Sequence, residues 1–264
     1  MHKRGHRVLA CVRTPSKASA LSTLSNVFII TLDVTSPTSI SSVVDTVREH
    51  TGTRGLDILI NNAGHGAPTI PLVDADLEYG RRMFEVNFWG VLSMVQAFAP
   101  LVVQAKGTIV NISSIGAIMN TPYLGLYDSS KAAIMMATDT LRVEMKPLGV
   151  KVITSMVGMV ESKFHDNLTE VVIRDDSMYK PAEKWIKMSA TPGQGSMKRF
   201  EMPLEKFSER FAEDVLKGGS NGRIWRGGMS TICRVLKWLL PVSLLVSDTE
   251  PFSLNRMIIR YVRI

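Results

Sequence analysis

The stretch Leu56-Asp-Ile-Leu-Ile60, followed at once by Asn61-Asn62-Ala63-Gly64, indicates the fold of this chain. The first five residues form a short, mostly aliphatic run that predicts a buried strand. Two amides, an alanine and a glycine at the end of such a strand let the backbone approach a ligand closely. Taken alone, the second motif is better explained as an ordinary Asn/Gly turn, so a ligand-binding role depends on the flanking chain.

The flanking chain alternates between short apolar runs and segments with helical spacing. Strands are predicted at 6–12, 27–32, 56–60, 107–112 and 150–156, and helices at 36–50, 77–99 and 129–147. Near-continuous apolar strands separated by helices are typical of a parallel sheet covered on both faces. Right-handed crossovers then give a doubly wound sheet. We therefore predict an α/β fold with a doubly wound parallel sheet of the Rossmann type.

The composition excludes several other classes of protein. A chain of 264 residues with 45% hydrophobic and 21% charged residues fits one globular α/β domain, and not a disordered, collagen-like or coiled-coil chain. Cys11 and Cys233 are too few for a disulfide framework or a zinc cluster, and we expect no metal site. No apolar run with a cleavage site follows the basic start at 1–6, so we do not expect secretion.

The positive charge is concentrated at the C-terminal end. Residues 217–264 hold eight basic and two acidic residues, and so carry +6 of the net +7. We therefore divide the chain into a catalytic domain at 1–216 and a basic, apolar tail at 217–264. The apolar stretch 232–246 is too short and too charged for a spanning helix of about 20 residues. Such a tail favours an anionic membrane surface over nucleic acid, and the alternative is a helix pair packed on its own domain.

The segment 168–204 interrupts the alternation of strands and helices. It is polar and mixed in composition, and Pro181, Pro192, Gly193 and Gly195 lie in it. We predict an insertion with a short helix at 181–188. Long insertions near the carboxyl ends of strands often cover a ligand, which makes this a substrate-side segment, and a plain surface loop is the alternative.

Tyr127-Asp-Ser-Ser-Lys131 places a phenol and an ammonium one turn apart on one helix face. A neighbouring ammonium favours the phenolate, and so lowers a pKa that starts near about 10. A phenol tuned in this way can donate or accept a proton near neutral pH. A surface tyrosine and lysine at this spacing are also common, so the motif alone is weak.

Two more polar residues lie where this fold class binds its ligands. Ser114 follows the predicted strand 107–112, and its hydroxyl there can hydrogen-bond a substrate carbonyl oxygen. Asn87 lies within the long predicted helix, where a buried amide is costly unless it has partners. The alternative for Asn87 is a residue that bends or caps the helix.

In this order and spacing, these motifs resemble those of the short-chain dehydrogenase/reductase family. The resemblance covers roughly residues 5–164 and includes Leu32-Asp33-Val34 and Val110-Asn-Ile-Ser-Ser114. It implies hydride transfer between NAD(P)H and a carbonyl or an alcohol, in either direction. By the same resemblance Tyr127 is the acid/base, Lys131 lowers its pKa and holds the nicotinamide ribose, Ser114 orients the substrate oxygen, and Asn87 orders a proton-relay water.

The resemblance also implies a cofactor site. In it Asp33 meets the adenine, and Val160 meets the nicotinamide carboxamide, although the usual Pro-Gly before that position is Val157-Gly158 here. Arg13 ends the first strand, where NAD-preferring relatives tend to carry an acidic residue; its guanidinium can pair with a 2′-phosphate, which favours NADPH over NADH. The expected cofactor residues are Arg13, Asp33, Asn61, Asn62, Ala63, Gly64, Asn87, Tyr127, Lys131 and Val160.

Local motifs are similar to those of fungal 1-acyl-dihydroxyacetone-phosphate reductases and related proteins. They include Asn87-Phe-Trp-Gly-Val91, Gln96-Ala-Phe-Ala-Pro100 and Ile224-Trp-Arg-Gly-Gly228. Because these relatives act in lipid metabolism or secondary-metabolite pathways, a lipid-like or secondary-metabolite substrate is implied. So is a place in the cytoplasm or at the periphery of the endoplasmic reticulum or lipid droplets. Many relatives are dimers or tetramers, so a homo-oligomer is compatible with the resemblance.

One part of the family pattern does not occur in this sequence. The family begins with a strand and a Thr-Gly-x-x-x-Gly-x-Gly turn, which binds the pyrophosphate at a helix N-terminus. Here Gly5-His6-Arg7 already matches the end of the first helix. The missing strand is central in such a sheet, so we expect unpaired edges on both sides of its place. A start further upstream, a copy with impaired cofactor binding, and a non-catalytic membrane-peripheral binding protein remain open interpretations.

Overall fold

The computed structural model describes residues 1–162, 164, 171–190, 198–219 and 221–240. The strands are β1 (Val8–Val12), β2 (Val27–Thr31), β3 (Ile58–Asn61), β4 (Thr108–Ser114), β5 (Lys151–Val157) and β6 (Arg223–Arg226). The α-helices are α1 (Pro37–Thr51), α2 (Leu77–Phe84), α3 (Val91–Gln104), α4 (Gly125–Met145), α5 (Glu183–Ala190), α6 (Leu204–Lys217) and α7 (Ser230–Leu239). The predicted alternation of strand and helix is confirmed.

All strand pairs are parallel, but they form two sheets. β1 pairs with β2, and the other four strands follow in the order β3-β4-β5-β6. Within the described residues, neither β1 nor β3 has a strand on its other side. Both strands line one cavity of about 1240 Å³. The expectation of unpaired edges is therefore confirmed.

Helices on one face hold the two sheets together. Val43 and Val47 of α1 share a buried cluster with Leu59 of β3 and Phe98 of α3. A second cluster joins β4, β5 and β6 to Val215 of α6. Parallel strands with helices on both faces confirm the predicted Rossmann-type α/β class.

The helix predicted at 77–99 is longer and is interrupted. A π-helical segment, Glu85–Gly90, lies between α2 and α3 and contains Asn87. The helical run Leu77–Gln104 is long and apolar enough to cross a membrane by length and composition. In this fold its residues Val95, Phe98 and Val102 are buried in the core.

The boundary predicted at 216/217 precedes a strand of the main sheet. β6 pairs with β5, and its end residues Arg223 and Arg226 form ion pairs with Asp139 of α4 and Asp214 of α6. α7 follows β6 directly. Residues 221–240 are therefore built into the domain and are not a separate tail, and 241–264 lie outside the described residues.

Candidate active site

The carboxyl ends of the strands and the start of α4 bring three predicted residues together. Ser114 ends β4, and Tyr127 and Lys131 lie in the first two turns of α4. The Ser114 hydroxyl acts on the Tyr127 phenol as a hydrogen-bonding group and lowers its pKa. The Lys131 Nζ lies 5.8 Å from the centre of the Tyr127 ring and donates to the Ile112 carbonyl at 3.2 Å. A phenol, a hydroxyl and an ammonium thus share one small volume.

Asn87 holds the loop after β3 against this group. Its Oδ1 accepts from the His65 backbone N–H at 2.7 Å, and its Nδ2 donates to the His65 carbonyl at 2.9 Å and to Ser130 Oγ at 3.0 Å. A π turn widens the helix locally and often occurs at functional sites. Through the two bonds with His65, the Asn87 side chain positions the backbone of that residue. The predicted proton-relay water stays a prediction.

The loop after β3 joins this group to the large cavity. A Cβ on Gly64 would lie 3.5 Å from Lys131 Nζ and 3.6 Å from Asn87 Oδ1. The cavity therefore reaches the polar cluster at this glycine. Of the predicted cofactor residues, those that line the cavity are Arg13, Asp33, Asn61, Asn62, Ala63 and Gly64.

Val160 does not lie on the wall of this cavity. It follows β5 and forms a parallel bridge with Met202. The preceding Gly158 is packed against the chain after β6, where a Cβ would be 2.0 Å from the Gly228 carbonyl oxygen. This close approach accounts for the glycine, while the contact of Val160 with a carboxamide stays a prediction.

Burial dominates the proton affinities at the site. It raises the pKa of Tyr127 to about 12, although the hydrogen bond from Ser114 acts in the opposite direction. Burial also lowers the pKa of Lys131 to about 8. The loss of solvation thus sets the direction of the net shift at Tyr127. The role of Lys131 in lowering this pKa stays a prediction.

The carboxylate of Asp33 is held by its own loop. Its Oδ1 accepts from the Thr35 N–H at 2.9 Å and from Thr35 Oγ1 at 2.7 Å, and these bonds lower the pKa of Asp33. The Arg13 guanidinium acts on the pKa in the same direction. Asp33 and Arg13 thus place opposite charges at one part of the cavity.

Sequence reasoning missed four residues around the cluster. Asp128 is next to Tyr127 and acts on its pKa. The Phe164 ring lies 6.0 Å from the Tyr127 ring, and the Tyr79 hydroxyl lies 3.3 Å from His65 Nδ1. Asp128 alone had a visible signal, because it stands between the two motif residues.

The insertion packs on the loops that surround the cluster. Its predicted helix is confirmed as a 3-10 turn, Lys180–Ala182, followed by α5. Ile173 and Ile186 pack with Ile70 and Tyr123, from the loops after β3 and β4. Residues 165–170 and 191–197 lie outside the described residues, and a cover over a ligand stays a prediction.

The fold and the site together define a Rossmann-type α/β protein with proton-transfer groups at the carboxyl edge of its sheet. A sequence model of the family described as short chain dehydrogenase matches residues 1–172. The chain therefore belongs to the short-chain dehydrogenase family.

Two fungal relatives illustrate this membership. Short-chain dehydrogenase PC-15 of Penicillium crustosum is 40% identical over 240 residues, which cover 91% of this chain and 86% of the relative. The NADPH-dependent 1-acyldihydroxyacetone phosphate reductase of Schizosaccharomyces pombe is 34% identical, and the match covers 98% of this chain and 87% of that protein.

Solved structures share the fold. A short-chain dehydrogenase from Streptomyces avermitilis matches 97% of this chain and 91% of its own length, with a TM-score of 0.73 and 20% identity. A short-chain dehydrogenase from Burkholderia cenocepacia, in complex with NADP, matches 93% of this chain and 87% of its own length, with a TM-score of 0.67 and 23% identity. At such identities the likeness concerns the fold alone.

Proposed function

We propose that this protein is an NADPH-dependent oxidoreductase that interconverts a carbonyl and an alcohol on a lipid-like or secondary-metabolite substrate. The observation that carries the proposal is the placement of Tyr127 beside Ser114, whose hydroxyl lowers the pKa of the phenol. The pair lies beside the buried Lys131, which itself adjoins the cavity wall at Gly64. Such a pair can bind a substrate oxygen and move a proton to or from it.

The residues fit the two ends of a dinucleotide. At one end, the exposed cationic Arg13 is suited to a 2′-phosphate and Asp33 to the adenosine end. At the other end, the Lys131 ammonium adjoins Gly64 and can donate to ribose hydroxyls. The sequence has no glycine-rich turn for the pyrophosphate between them. The 2′-phosphate preference also agrees with the name of the Schizosaccharomyces pombe relative.

When the carbonyl is reduced, each residue of the site has its own role. Ser114 donates to the substrate oxygen and orients it toward Tyr127. The phenol keeps its proton at neutral pH because burial raises the pKa of Tyr127 to about 12, and so it serves as the acid. The Lys131 ammonium stabilises the phenolate that forms. The bound cofactor supplies or accepts the hydride.

The substrate class rests on the relatives and on the apolar surroundings of the pair. The Phe164 ring lies beside the Tyr127 ring and lines the cavity. The buried insertion cluster around Ile173 packs on the loops that carry the site. An apolar substrate with one reactive carbonyl suits an apolar ring beside the phenol. The relatives include the fungal short-chain dehydrogenase and the 1-acyldihydroxyacetone phosphate reductase already described.

The test begins with NADPH binding to purified 1–264, followed by the fluorescence of the reduced nicotinamide. Turnover is then measured with 1-acyldihydroxyacetone phosphate and a panel of aromatic and polyketide-like ketones. Tyr127→Phe should abolish turnover and leave NADPH affinity nearly unchanged, because it removes one hydroxyl and keeps the ring. Retained turnover in this variant would remove Tyr127 from its role.

A second function competes with this one. A chain that folds but does not bind NADPH would be a catalytically impaired homologue that acts as a binding protein. The family's glycine-rich turn does not occur in residues 1–264, so NADPH binding by these residues needs a direct measurement. Restoring such a turn ahead of residue 1 separates the two, since NADPH binding by the extended variant alone would assign these residues to a longer enzyme.

We also propose that α7 docks on an anionic membrane surface, such as that of the endoplasmic reticulum or a lipid droplet. Cys233 faces the core, while Trp238 is 84% exposed, Leu239 58% and Ile232 50%. The basic residues Arg234 and Lys237 lie on the same exposed helix. Apolar and aromatic side chains beside cations suit an interfacial helix.

Vesicle flotation tests this surface without cutting the sheet. Trp238→Ser combined with Ile232→Ser should release the protein from phosphatidylserine-containing vesicles. Met136→Ser combined with Val143→Ser, which changes exposed apolar residues on α4, is the matched control and should bind like the wild type. Equal binding by all three proteins would refute the membrane role of α7.

A further inference from the structure

Asp128 lies between the motif residues Tyr127 and Lys131 and touches the loop that follows Ser114. Its Oδ2 accepts the Thr121 backbone N–H at 3.0 Å. Its Oδ1 is buried and has no hydrogen-bond partner. The facing loop, 115–124, carries Tyr123 as its titratable residue and has no charged side chain. Among the described residues, no cationic side chain contributes to the pKa of Asp128, so none of them explains a carboxylate in this place.

Gly116 makes room for this carboxylate. A Cβ at position 116 would lie 2.2 Å from Asp128 Oδ1, so the backbone and the carboxylate are in direct contact. The Gly116 N–H in turn donates to Ser114 Oγ at 3.1 Å. Asp128 therefore touches the residue that holds the Ser114 hydroxyl, and it binds the same loop again at Thr121.

We infer that Asp128 is a positioning residue whose carboxylate fastens the loop after Ser114 to the helix that carries Tyr127. The inference rests on the proposed function, because it concerns the same pair of hydroxyls. It assigns to Asp128 the task of keeping those hydroxyls in hydrogen-bonding reach. It also makes Gly116 a required glycine.

The fastened loop extends toward the insertion. Tyr123, in the same loop, packs on the cluster formed by the insertion, and its carbonyl accepts the Ile70 N–H at 2.9 Å. Release of Asp128 would thus loosen both the Ser114 side and the insertion side of the loop. The expected consequence is weaker substrate binding, measured as a higher KM.

Because the proposed role depends on the charge of Asp128, the order of the loop should depend on pH. Burial raises the pKa of Asp128 to about 6, and the hydrogen bonds with Thr121 oppose this. Above that pH the carboxylate is ionised and raises the pKa of Tyr127. Below it, protonation weakens the acceptor for the Thr121 N–H, so the loop should loosen in acid.

Hydrogen exchange of the apoprotein tests the inference without cofactor or substrate. Asp128→Ala should speed exchange at the amides of Gly116 and Thr121 about tenfold, the usual worth of a bond to a charged group. Asp128→Asn keeps an acceptor and should retain most of the protection. In the wild type, protection corrected for intrinsic exchange should fall below about pH 6, and in Asp128→Asn it should not.

Turnover with NADPH provides the second readout, using the substrate from the ketone panel. Asp128→Ala should raise KM about tenfold with a smaller change in kcat. Asp128→Asn should keep KM and move the phenol limb of the pH profile to lower pH, because a negative charge beside Tyr127 is gone.

Hydrogen exchange and turnover together distinguish a failure of the Asp128 inference from a failure of the proposed function. Unchanged exchange at 116 and 121 in Asp128→Ala, or no acid loosening in the wild type, overturns the inference. If Asp128→Ala does not fold, the comparison of the wild type with Asp128→Asn across pH decides alone. Absent turnover in every protein counts against the proposed function, while the exchange data still judge Asp128.

Discussion

At the scale of single residues, Lys131 shows the cost of building this site. The side chain is buried, and its Nζ donates a hydrogen bond to the Ile112 carbonyl. Burial disfavours the ammonium and lowers the pKa of Lys131 from 10.5 to about 8. The charged ammonium is therefore less favourable in the folded protein than in the unfolded chain, where water solvates it.

The stability of the protein should therefore depend on pH through Lys131. Between about pH 8 and 10.5 the folded state has released this proton while the unfolded state still binds it. The contribution of Lys131 to the free energy of unfolding therefore increases with pH across this range. Below about 8 both states are protonated and the full cost is present. Lys131→Met removes the contribution, so the difference in urea midpoint between wild type and variant should change across this window.

The exposed Lys3 supplies the control for this experiment. Lys3→Met should unfold in parallel with the wild type at every pH. If the curves for Lys131→Met and the wild type also stay parallel from pH 7 to 10.5, then Lys131 is not held in the buried, deprotonation-prone state described here.

The sequence was informative about these residues because their spacing is local. Tyr127 and Lys131 share one helix, and Ser114 lies at the carboxyl end of a predicted strand, where this fold class binds its ligands, so the pattern predicts them at one site. Their proton affinities were not predictable, since desolvation depends on what the fold packs around them. The importance of Asp128 was hidden for the same reason: its partners at 116 and 121 face it only in the folded chain.

At the scale of elements, the π-helical segment Glu85–Gly90 determines where Asn87 points. Gly90 packs directly on the loop after β2, where a Cβ would be 3.0 Å from both the Val34 carbonyl oxygen and Val34 Cγ2. The sequence pattern predicted one regular helix here, because periodicity does not register a single widened turn. It also missed β6, whose end residues are arginines paired with acids from helices.

Gly90→Ala should destabilise the protein, because the new methyl group meets backbone that cannot move aside. Overpacking of this kind costs about 1–3 kcal/mol. Gly80→Ala in α2 is the matched control: its methyl group meets only the tip of the Leu126 side chain, at 3.1 Å, and the helix gains about 1 kcal/mol in propensity. In chemical denaturation, the free energy of unfolding of Gly80→Ala should equal or exceed that of the wild type, and that of Gly90→Ala should be lower than both.

A Gly90→Ala variant as stable as the wild type would mean that the π-helical segment adjusts without strain. In that case NADPH binding becomes the more sensitive measure, since Val34 adjoins Asp33 and both line the cavity. A shift of this loop should weaken NADPH binding even where the free energy of unfolding is unchanged.

At the scale of the whole molecule, the feature that matters is the cavity between the two sheets. β1 and β3 each present an edge without a strand partner in the described residues. Unpaired backbone donors and acceptors on a strand edge favour pairing with another chain. The helices α1 and α3 hold the sheets in place on one face, so the open edges persist in the folded state.

We therefore expect the chain 1–264 to self-associate through these edges. Cys11 in β1 is exposed and lies on the cavity wall, so Cys11→Lys places a charge where a paired strand would have to bury it. Sedimentation velocity in reducing buffer should show the wild-type mass rising with concentration and Cys11→Lys nearer to the monomer. Cys11→Ser removes the thiol without adding a charge and should behave like the wild type. Association that persists in Cys11→Lys would assign the oligomer to a helical surface, and a monomeric wild type would show that the edges are shielded.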